Sequence, residues 1–377
     1  MPVIIFDRGT VMSQKPRHLD FFLGASTPAG FVSFFDDIAS RLDDHHSYII
    51  KGGAGTGKST LMKRCALLGL SKGESIERIH CSSDPFSLDG IVLTNAKITM
   101  LDGTPPHAIE PEYPGAYETV VNFCDCWDEE MLQSRRREIV NLFGENKALR
   151  NRAVSLLEGA GSLLCENRFA LQPHVDREKI ARAALGIAVR EGLGKQGAKS
   201  TEHKRFASAV TPQGIVSYAL SNVADYEHVY LIKDMSGAAS QLLLNELRTH
   251  LLRSGTEFYS CYCPLDPSRL EHLIVPKCSL AFLTSNRFHP MTADGFSPYR
   301  VIHAGRFIPA EYLRARKQHL RFSSRMAGAI LEEAILAMAG AKKVHDVIER
   351  IYGEAVDYQK IEDKSVDVLT QIEREYQ

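Results

Sequence analysis

The chain has 377 residues, which is long enough for two or three domains. Hydrophobic residues make up 44% of it, charged residues 24%, and the formal net charge is −1, so the composition gives no clear nucleic-acid signal. No apolar run approaches the roughly 20 residues that cross a bilayer, and Met1–Arg8 is too short for a signal peptide. We therefore expect a cytoplasmic protein without membrane association, whose eight cysteines are reduced thiols.

The first patterned segment is an apolar run at residues 46–51, which predicts a buried strand of a parallel sheet. Residues 57–71 predict a helix. Between them stands a segment that fits the G-x-x-x-x-G-K-[ST] pattern of the Walker A phosphate-binding loop, Gly52-Gly53-Ala54-Gly55-Thr56-Gly57-Lys58-Ser59. Strand, loop and helix in this order are the context that the motif requires.

The loop also predicts the chemistry of its ligand. Glycines let the backbone turn its N–H groups toward an anion, and the helix N-terminus adds a partial positive charge. Lys58 is expected to reach the β- and γ-phosphates of a nucleotide, and the Ser59 hydroxyl is expected to hold Mg²⁺. We therefore expect an ATP-binding site over Gly52–Thr60, with Mg²⁺ as the metal.

Two more strands follow along the chain. Ser75–Cys81 alternates between apolar and polar residues, and Lys97–Asp102 is apolar and ends in Asp, which is the Walker B pattern. The Asp102 carboxylate is expected to bind Mg²⁺ directly or through a water. Gly103 stands where many ATPases carry a catalytic Glu, so a general base has to come from elsewhere, or the site has no strong base.

The segment after the second strand contains two candidates for that role. Asp84 and Asp89 could orient a water or an acceptor hydroxyl. Asp84 is followed by Pro85, so the capping of a turn is an equally good interpretation of this residue. His107 is interpreted as a residue that stabilises a turn rather than as a catalyst.

Downstream, residues 127–167 and 177–191 are predicted to be largely helical, with Asp176 as the N-cap of the second helix. Strands that alternate with helices predict a parallel α/β sheet, in which ligands bind at the carboxyl ends of strands. Basic runs on these helices and in the second half are more typical of solvated faces than of arginine fingers. These residues are Arg135, Arg136, Arg137, Arg314, Arg316, Lys317 and Arg321.

The chain repeats itself. Residues 229–290 match residues 47–108 without a gap, and residues 209–217 match residues 25–33. Two matching blocks in the same order indicate a duplicated domain.

A linker is predicted at Gly192–Ser200, which is rich in Gly and Lys. It divides the chain into a first half, residues 1–193, and a second half, residues 200–377. The predicted fold class is α/β, with two tandem P-loop NTPase-like domains whose mostly parallel sheets are flanked by helices.

The second copy lacks the groups that would bind phosphate and Mg²⁺, although its apolar pattern survives. Its replacements are Asp234 for Gly52, Ala239 for Gly57, Ser240 for Lys58, Gln241 for Ser59 and Thr284 for Asp102. Asp234 would oppose a phosphate through like-charge repulsion. We therefore expect a degenerate second loop and one bound nucleotide per chain. Asp84 is retained as Asp266, which favours its structural role, and Asp89 becomes Glu271.

Several segments resemble a family of poorly characterised bacterial proteins with two tandem P-loop domains, described only as ATPases or nucleotide kinases. The segments are Phe22–Phe31, Ile50–Ser59, His80–Pro85, Leu101–His107 and Phe206–Pro212. The resemblance spans nearly the whole chain and implies ATP binding at Gly52–Thr60 and a duplicated P-loop fold. Many members keep a Walker A loop in both halves, and this chain departs from them in the second. The family does not supply a substrate.

Three functions agree with these residues. The leading hypothesis is a Mg²⁺-dependent ATPase whose first domain hydrolyses ATP and whose second domain is a structural or regulatory partner. The alternative is a small-molecule or nucleotide kinase with Asp84 or Asp89 near the acceptor. The third is an ATP-gated binding module that hydrolyses slowly. The sequence names neither an acceptor nor a protein partner.

Overall fold

The computed structural model describes residues 16–39, 45–193 and 199–376. The strands within these ranges are β1 (His18–Phe21), β2 (Gly24–Thr27), β3 (Gly30–Ser33), β4 (His46–Lys51), β5 (Ile76–Cys81), β6 (Asp84–Leu93), β7 (Ile98–Asp102), β8 (Glu118–Asn122), β9 (Thr201–Arg205), β10 (Ser208–Thr211), β11 (Gly214–Ser217), β12 (His228–Lys233), β13 (Glu257–Cys263), β14 (Asp266–Val275), β15 (Leu280–Ser285) and β16 (Arg300–His303). The α-helices are α1 (Asp36–Ala39), α2 (Lys58–Ser71), α3 (Glu129–Ser134), α4 (Arg136–Leu171), α5 (Arg177–Arg190), α6 (Ala238–Leu251), α7 (Ala310–Ala355) and α8 (Tyr358–Arg374).

The first sheet has the strand order β1-β5-β6-β7-β4-β8. All of its strands are parallel except β6, which runs antiparallel to both β5 and β7. The prediction of a mostly parallel α/β sheet is therefore confirmed. The segment that holds Asp84 and Asp89 is itself a strand, however, and not only a connection after β5. Its residues from Leu88 to Leu93 are all buried, so they show none of the alternation that marks a half-buried strand.

The second sheet repeats the first. Its order, β9-β13-β14-β15-β12-β16, is the same element for element, and β14 is again the antiparallel strand. Each half also has a short antiparallel hairpin, β2–β3 in the first and β10–β11 in the second. The two hairpins are joined at their bases by a reciprocal pair of backbone hydrogen bonds between Phe22 and Phe206, each 2.9 Å long. The element order thus agrees with the duplication that the sequence indicates.

The two sheets share one apolar layer. Side chains such as Ile79 and Leu101 of the first sheet and Ile274 and Leu283 of the second belong to one continuous cluster of buried residues. Burial of this kind is the main stabilising contribution to folding. The halves therefore pack against each other through the faces of their sheets.

The outer faces of the sheets are covered by exchanged helices. Helix α8, from the second half, buries Ile361 and Ile372 together with α2 on the first sheet. Helix α5, from the first half, buries Ile180 and Ile187 together with α6 on the second sheet. Each half of the chain therefore contributes one helix that covers the sheet of the other half.

A hydrogen bond secures each exchanged helix. The Tyr48 hydroxyl of β4 donates to Glu375 at the end of α8, at 3.2 Å, and the Tyr230 hydroxyl of β12 donates to Glu191 just after α5. As predicted, α5 begins at the N-cap Asp176, whose carboxylate accepts from the Lys179 backbone N–H at 2.9 Å.

The longest helices, α4 and α7, pack side by side. Arg152 and Glu333 meet near the middle of the pair, and Glu166 of α4 meets Arg316 and His319 of α7, so the helices are antiparallel. The predicted helix at 127–167 is in fact two helices, α3 and α4. No helix in the described ranges is long and apolar enough to cross a membrane. Residues 1–15 and 194–198, which include Met1–Arg8 and most of the predicted linker, lie outside the description.

Candidate functional site

The first loop, residues Gly52–Ser59, connects β4 to α2. Gly55 and Gly57 have φ values of 72° and 80°, in the left-handed region that glycine adopts without strain. Lys58 opens α2, and its Nζ donates to the carbonyl oxygens of Gly52 and Gly53 at 2.9 and 2.7 Å. The ammonium therefore lies within the ring of the loop, where an anion held by the N–H groups would meet it.

Asp102 lies beside this ammonium because β4 and β7 are neighbouring parallel strands with Ile50 opposite Asp102. The Asp102 Oδ2 atom is 3.7 Å from Lys58 Nζ. Its Oδ1 atom accepts hydrogen bonds from the N–H and hydroxyl of Thr104. Burial raises the pKa of Asp102, and the Lys58 charge offsets only part of that rise.

Ser59 and Asp89 complete a set of oxygen atoms around this point. The Ser59 hydroxyl accepts from the Leu88 N–H at 3.0 Å, which places the next residue of β6, Asp89, near the loop. Asp89 is also close enough to Asp102 for its charge to raise the pKa of that carboxyl. Carboxylate and hydroxyl oxygens are the hard ligands that Mg²⁺ prefers, so Asp102 and Ser59 have the chemistry that such an ion requires, with the Asp89 carboxylate nearby.

His107 connects these groups. Its Nε2 atom is 3.5 Å from Asp89 Oδ2, its Nδ1 atom is 2.9 Å from the Asp102 carbonyl oxygen, and its ring stacks on Phe35. Burial, the largest single influence, lowers the pKa of His107, but Asp89 and Asp102 together raise it by more, so the net shift is upward. The turn-stabilising role expected of His107 matches its bond to the Asp102 carbonyl. Its contact with Asp89 was not foreseen.

Asp84 stands at the start of β6 and caps the turn there. Its carboxylate accepts from the Phe86 N–H and the Ser87 hydroxyl, at 3.3 and 3.1 Å. It also lies 3.6 Å from Lys342 Nζ of α7. These contacts agree with the structural interpretation of Asp84, although the residue does line the cleft described next.

The first loop forms one wall of a cleft of about 870 Å³, and α4 and α7 form the opposite wall. Helix α7 passes directly over the loop, since a Cβ atom on Gly55 would lie 2.9 Å from the Glu349 carbonyl oxygen. The polar side chains that the helices contribute are Arg150, Lys342, His345 and Glu349. A volume of this size is typical of a small-molecule site.

Sequence patterns could not have located these helical side chains. They lie roughly 90 to 300 residues from the loop along the chain, and none of them belongs to a recognisable motif. None of the basic residues considered as arginine fingers lines the cleft. Arg135 pairs with Glu138 and Glu354, and Arg316 pairs with Glu166, as expected of solvated helix faces.

The second loop, residues Asp234–Gln241, likewise joins a strand to a helix, with Gly237 at a φ of 75° like its counterpart Gly55, but α6 begins two positions earlier than α2 does. One oxygen of the Asp234 carboxylate accepts from the N–H groups of Ala239 and Ser240 at 3.1 and 2.8 Å, and the other accepts from the N–H and hydroxyl of Ser236 at 2.9 Å each. The Ala239 and Ser240 donors lie in the first turn of α6, where the partial positive charge of a helix N-terminus attracts an anion. The Asp234 carboxylate therefore takes the N–H groups that a phosphate would need, and its negative charge would also repel a phosphate.

The second loop also has an arginine, Arg269, beside the acidic residue that could otherwise bind a metal ion. Among the described residues, Cys263, Glu271 and His289 are the one trio of possible ligand groups close enough to surround a metal ion. The guanidinium of Arg269, buried beside Gly237, already lies 3.1 Å from Glu271 Oε1. The same trio in the first half is Cys81, Asp89 and His107, with Ser87 in place of Arg269. Arg269 thus supplies the positive charge that a metal would otherwise bring.

Helix α4 covers the second loop as α7 covers the first. Arg168 of α4 is buried, and it bonds Asp266 at 2.9 Å and Gln241 at 2.7 Å. At the second loop, these charged side chains are therefore already paired with one another.

Comparisons with models of known protein families, with curated proteins and with solved structures found no match to this chain. The ATP site and the family resemblance therefore stay predictions, which depend on the residues and the geometry described above.

Proposed function

We propose that the chain is a Mg²⁺-dependent ATP-binding protein that hydrolyses ATP at the first loop, while the second half is a degenerate structural or regulatory copy. The observation that carries the proposal is the 3.7 Å approach of Lys58 to Asp102, next to Ser59, at a loop in which Gly55 and Gly57 have left-handed backbone angles. These are the groups that the sequence motif assigns to phosphate and metal.

Each residue has a physical role in this proposal. The N–H groups at the start of α2 would bind phosphate oxygens, and Lys58 would exchange its bonds to Gly52 and Gly53 for bonds to the phosphates. Ser59 and Asp102 would hold Mg²⁺, which neutralises the charge that develops on the transferred phosphoryl group. Burial of these groups strengthens every electrostatic interaction among them.

Asp89 is the residue best placed to orient the attacking water. Its charge raises the pKa of Asp102, and its Oδ2 atom lies 3.5 Å from His107 Nε2. Gly103 leaves no side chain at the position that follows Asp102. Asp84 is engaged by its turn and by Lys342, so we assign it a supporting role.

A kinase is the second candidate, and the extent of the cleft favours it. The cleft continues beyond the loop to an apolar wall formed by Val210, Pro212 and Met338. Such a wall would receive an acceptor molecule with its hydroxyl directed toward Asp89.

Calorimetric titration with Mg²⁺ and a non-hydrolysable ATP analogue tests the binding step. We expect one site per chain, because Asp234 fills the second. Lys58→Ala should weaken binding at least about 10-fold, since a charge-assisted hydrogen bond contributes roughly 1.5–3 kcal/mol. Lys147→Ala, at an exposed position of α4, is the matched control. Two equal sites, or unchanged affinity in Lys58→Ala, would contradict the proposal.

The fate of the γ-phosphate separates the reactions. Free phosphate released from labelled ATP without any acceptor supports the ATPase. Label on one member of a panel of nucleosides, nucleotides and sugars supports the kinase. Tight binding with neither outcome supports an ATP-gated binding module.

A further inference from the structure

Arg150 of α4 is held in a fixed orientation at the cleft. Its Nε atom donates to Asn146 Oδ1 at 2.8 Å, and the buried Asn146 in turn donates from Nδ2 to the Ala341 carbonyl oxygen of α7 at 2.7 Å. Asn146 thus fixes the guanidinium against both long helices. Among the described residues, no hydrogen bond engages the two terminal nitrogens of Arg150, and a planar pair of donors matches two oxygens of a phosphate.

The charge of Arg150 is also not neutralised. Within the described ranges no carboxylate forms an ion pair with it, whereas Lys342 is paired with Asp346 and Asp84. On the same helix, Arg152 is paired with Glu333. Arg150 is therefore a cation that is oriented, half-buried and without a counter-ion, in a cleft that also contains Lys58.

The neighbouring His345 reports how much positive charge gathers here. Burial lowers its pKa, and the charges of Arg150, Lys342 and Lys58 lower it further. The carboxylates of Asp346 and Glu349 also face this imidazole, but the cations together lower its pKa by more than these carboxylates raise it, which favours a polyanion between the helices and the loop.

We propose that Arg150 contacts the terminal phosphate of ATP and makes the site distinguish ATP from ADP. This inference rests on the function proposed above. The first loop would hold the phosphates that both nucleotides share, and the arginine across the cleft would add its bonds only when the γ-phosphate is present. A cation at that point also stabilises the charge of the transition state.

Paired titrations with ADP and with a non-hydrolysable ATP analogue, each with Mg²⁺, test the proposal on the full chain. Arg150→Ala should lower the affinity for the ATP analogue by about 10- to 100-fold and leave the affinity for ADP within about twofold of the unmodified chain. Arg150→Lys should recover only part of the difference, because a lysine cannot bond two phosphate oxygens in one plane. Arg152→Ala, two residues away and outside the cleft, should match the unmodified chain.

The outcomes separate this inference from the proposed function. Equal losses for both nucleotides in Arg150→Ala, or no loss for either, would overturn the role given to Arg150. If Lys58→Ala also leaves both affinities unchanged, the ATP site itself is wrong. Circular dichroism of each variant checks folding, and Arg150→Lys keeps the test decisive if the alanine variant does not fold.

Discussion

At the residue scale, Asp102 illustrates a conflict between stability and function. Its carboxylate is buried, and its pKa is raised because burial disfavours the charged form. A folded state whose carboxyl pKa is raised binds the proton more tightly than the unfolded chain does. The charged form of Asp102 therefore lowers stability at neutral pH, and that loss is relieved as the pH falls through the raised pKa.

We expect Asp102→Asn to raise the melting temperature at pH 7 in a magnesium-free buffer, because the neutral amide has no buried charge. The gain should shrink as the pH falls through the raised pKa, where Asp102 itself becomes neutral. The same variant should lose Mg²⁺-dependent turnover by at least about 100-fold, since the metal supplies several kcal/mol of charge stabilisation. Melting curves from pH 4 to 8 and a Mg²⁺ titration of activity measure both effects. Full turnover at the same Mg²⁺ requirement would make Asp102 only a strand-end residue.

Asp234 provides the matching prediction for the second loop. Asp234→Ala removes the acceptor of three backbone N–H groups, and we expect it to lower the free energy of unfolding by about 2–4 kcal/mol. Inorganic phosphate should restore part of the loss, because its oxygens take the place of the carboxylate. The measurement is the melting temperature as a function of phosphate concentration at constant ionic strength. All variants also carry Lys58→Ala, so that phosphate binding at the first loop does not contribute.

Asp294→Ala, at an exposed position of the second half, is the control and should show neither effect. If phosphate stabilises both alanine variants equally, the second loop does not bind anions.

The sequence could predict the loop groups because a motif fixes their spacing. Lys58 and Asp102 lie 3.7 Å apart because a strand, a loop and a neighbouring strand determine their positions locally. Arg150 and His345 could not be predicted. They reach the cleft through the packing of α4 on α7, and no local pattern encodes which face of a long helix meets a distant loop.

At the element scale, the same limit applies to β6 and to the exchanged helices. The sequence predicts β4, β5, β7, α2 and α5 close to their observed bounds, because turns and caps mark their ends. It misses β6, since that strand is buried on both faces and its apolar run has no period. Helix α5 is predicted and α8 is not, and even an amphipathic pattern does not say which sheet the apolar face of a helix covers.

Helix α4 is the element that reaches both sites. Arg150 lies at the first cleft and Arg168 at the second, and 18 residues of helix separate them by about 27 Å. Arg168 is held permanently by Asp266 and Gln241. These contacts of Arg168 at the second loop anchor the helix that carries Arg150 at the first cleft, which supports a structural role for the second half.

At the scale of the whole molecule, the two halves resemble a dimer joined into one chain. They have the same strand order, and each receives the last helix of the other. Without α8, the first sheet would expose the apolar surface that now packs on Ile361, Val368 and Ile372. Burial of each such side chain contributes about 1.5–3 kcal/mol, so losing three approaches the whole stability of a typical domain, about 5–15 kcal/mol.

We therefore expect residues 1–193 expressed alone to lack a cooperative melting transition and to bind no nucleotide, even though they contain the entire first loop. Co-expression with residues 199–377 should restore both properties, because α5 and α8 can then exchange. The control is the full chain with a protease site inserted between Leu193 and Lys199 and then cleaved. It should melt and bind as the intact chain does, since every contact between the described residues of the two halves is kept. A fragment of residues 1–193 that folds cooperatively and binds ATP by itself would show that the exchanged helix is dispensable. The first half would then be an independent domain.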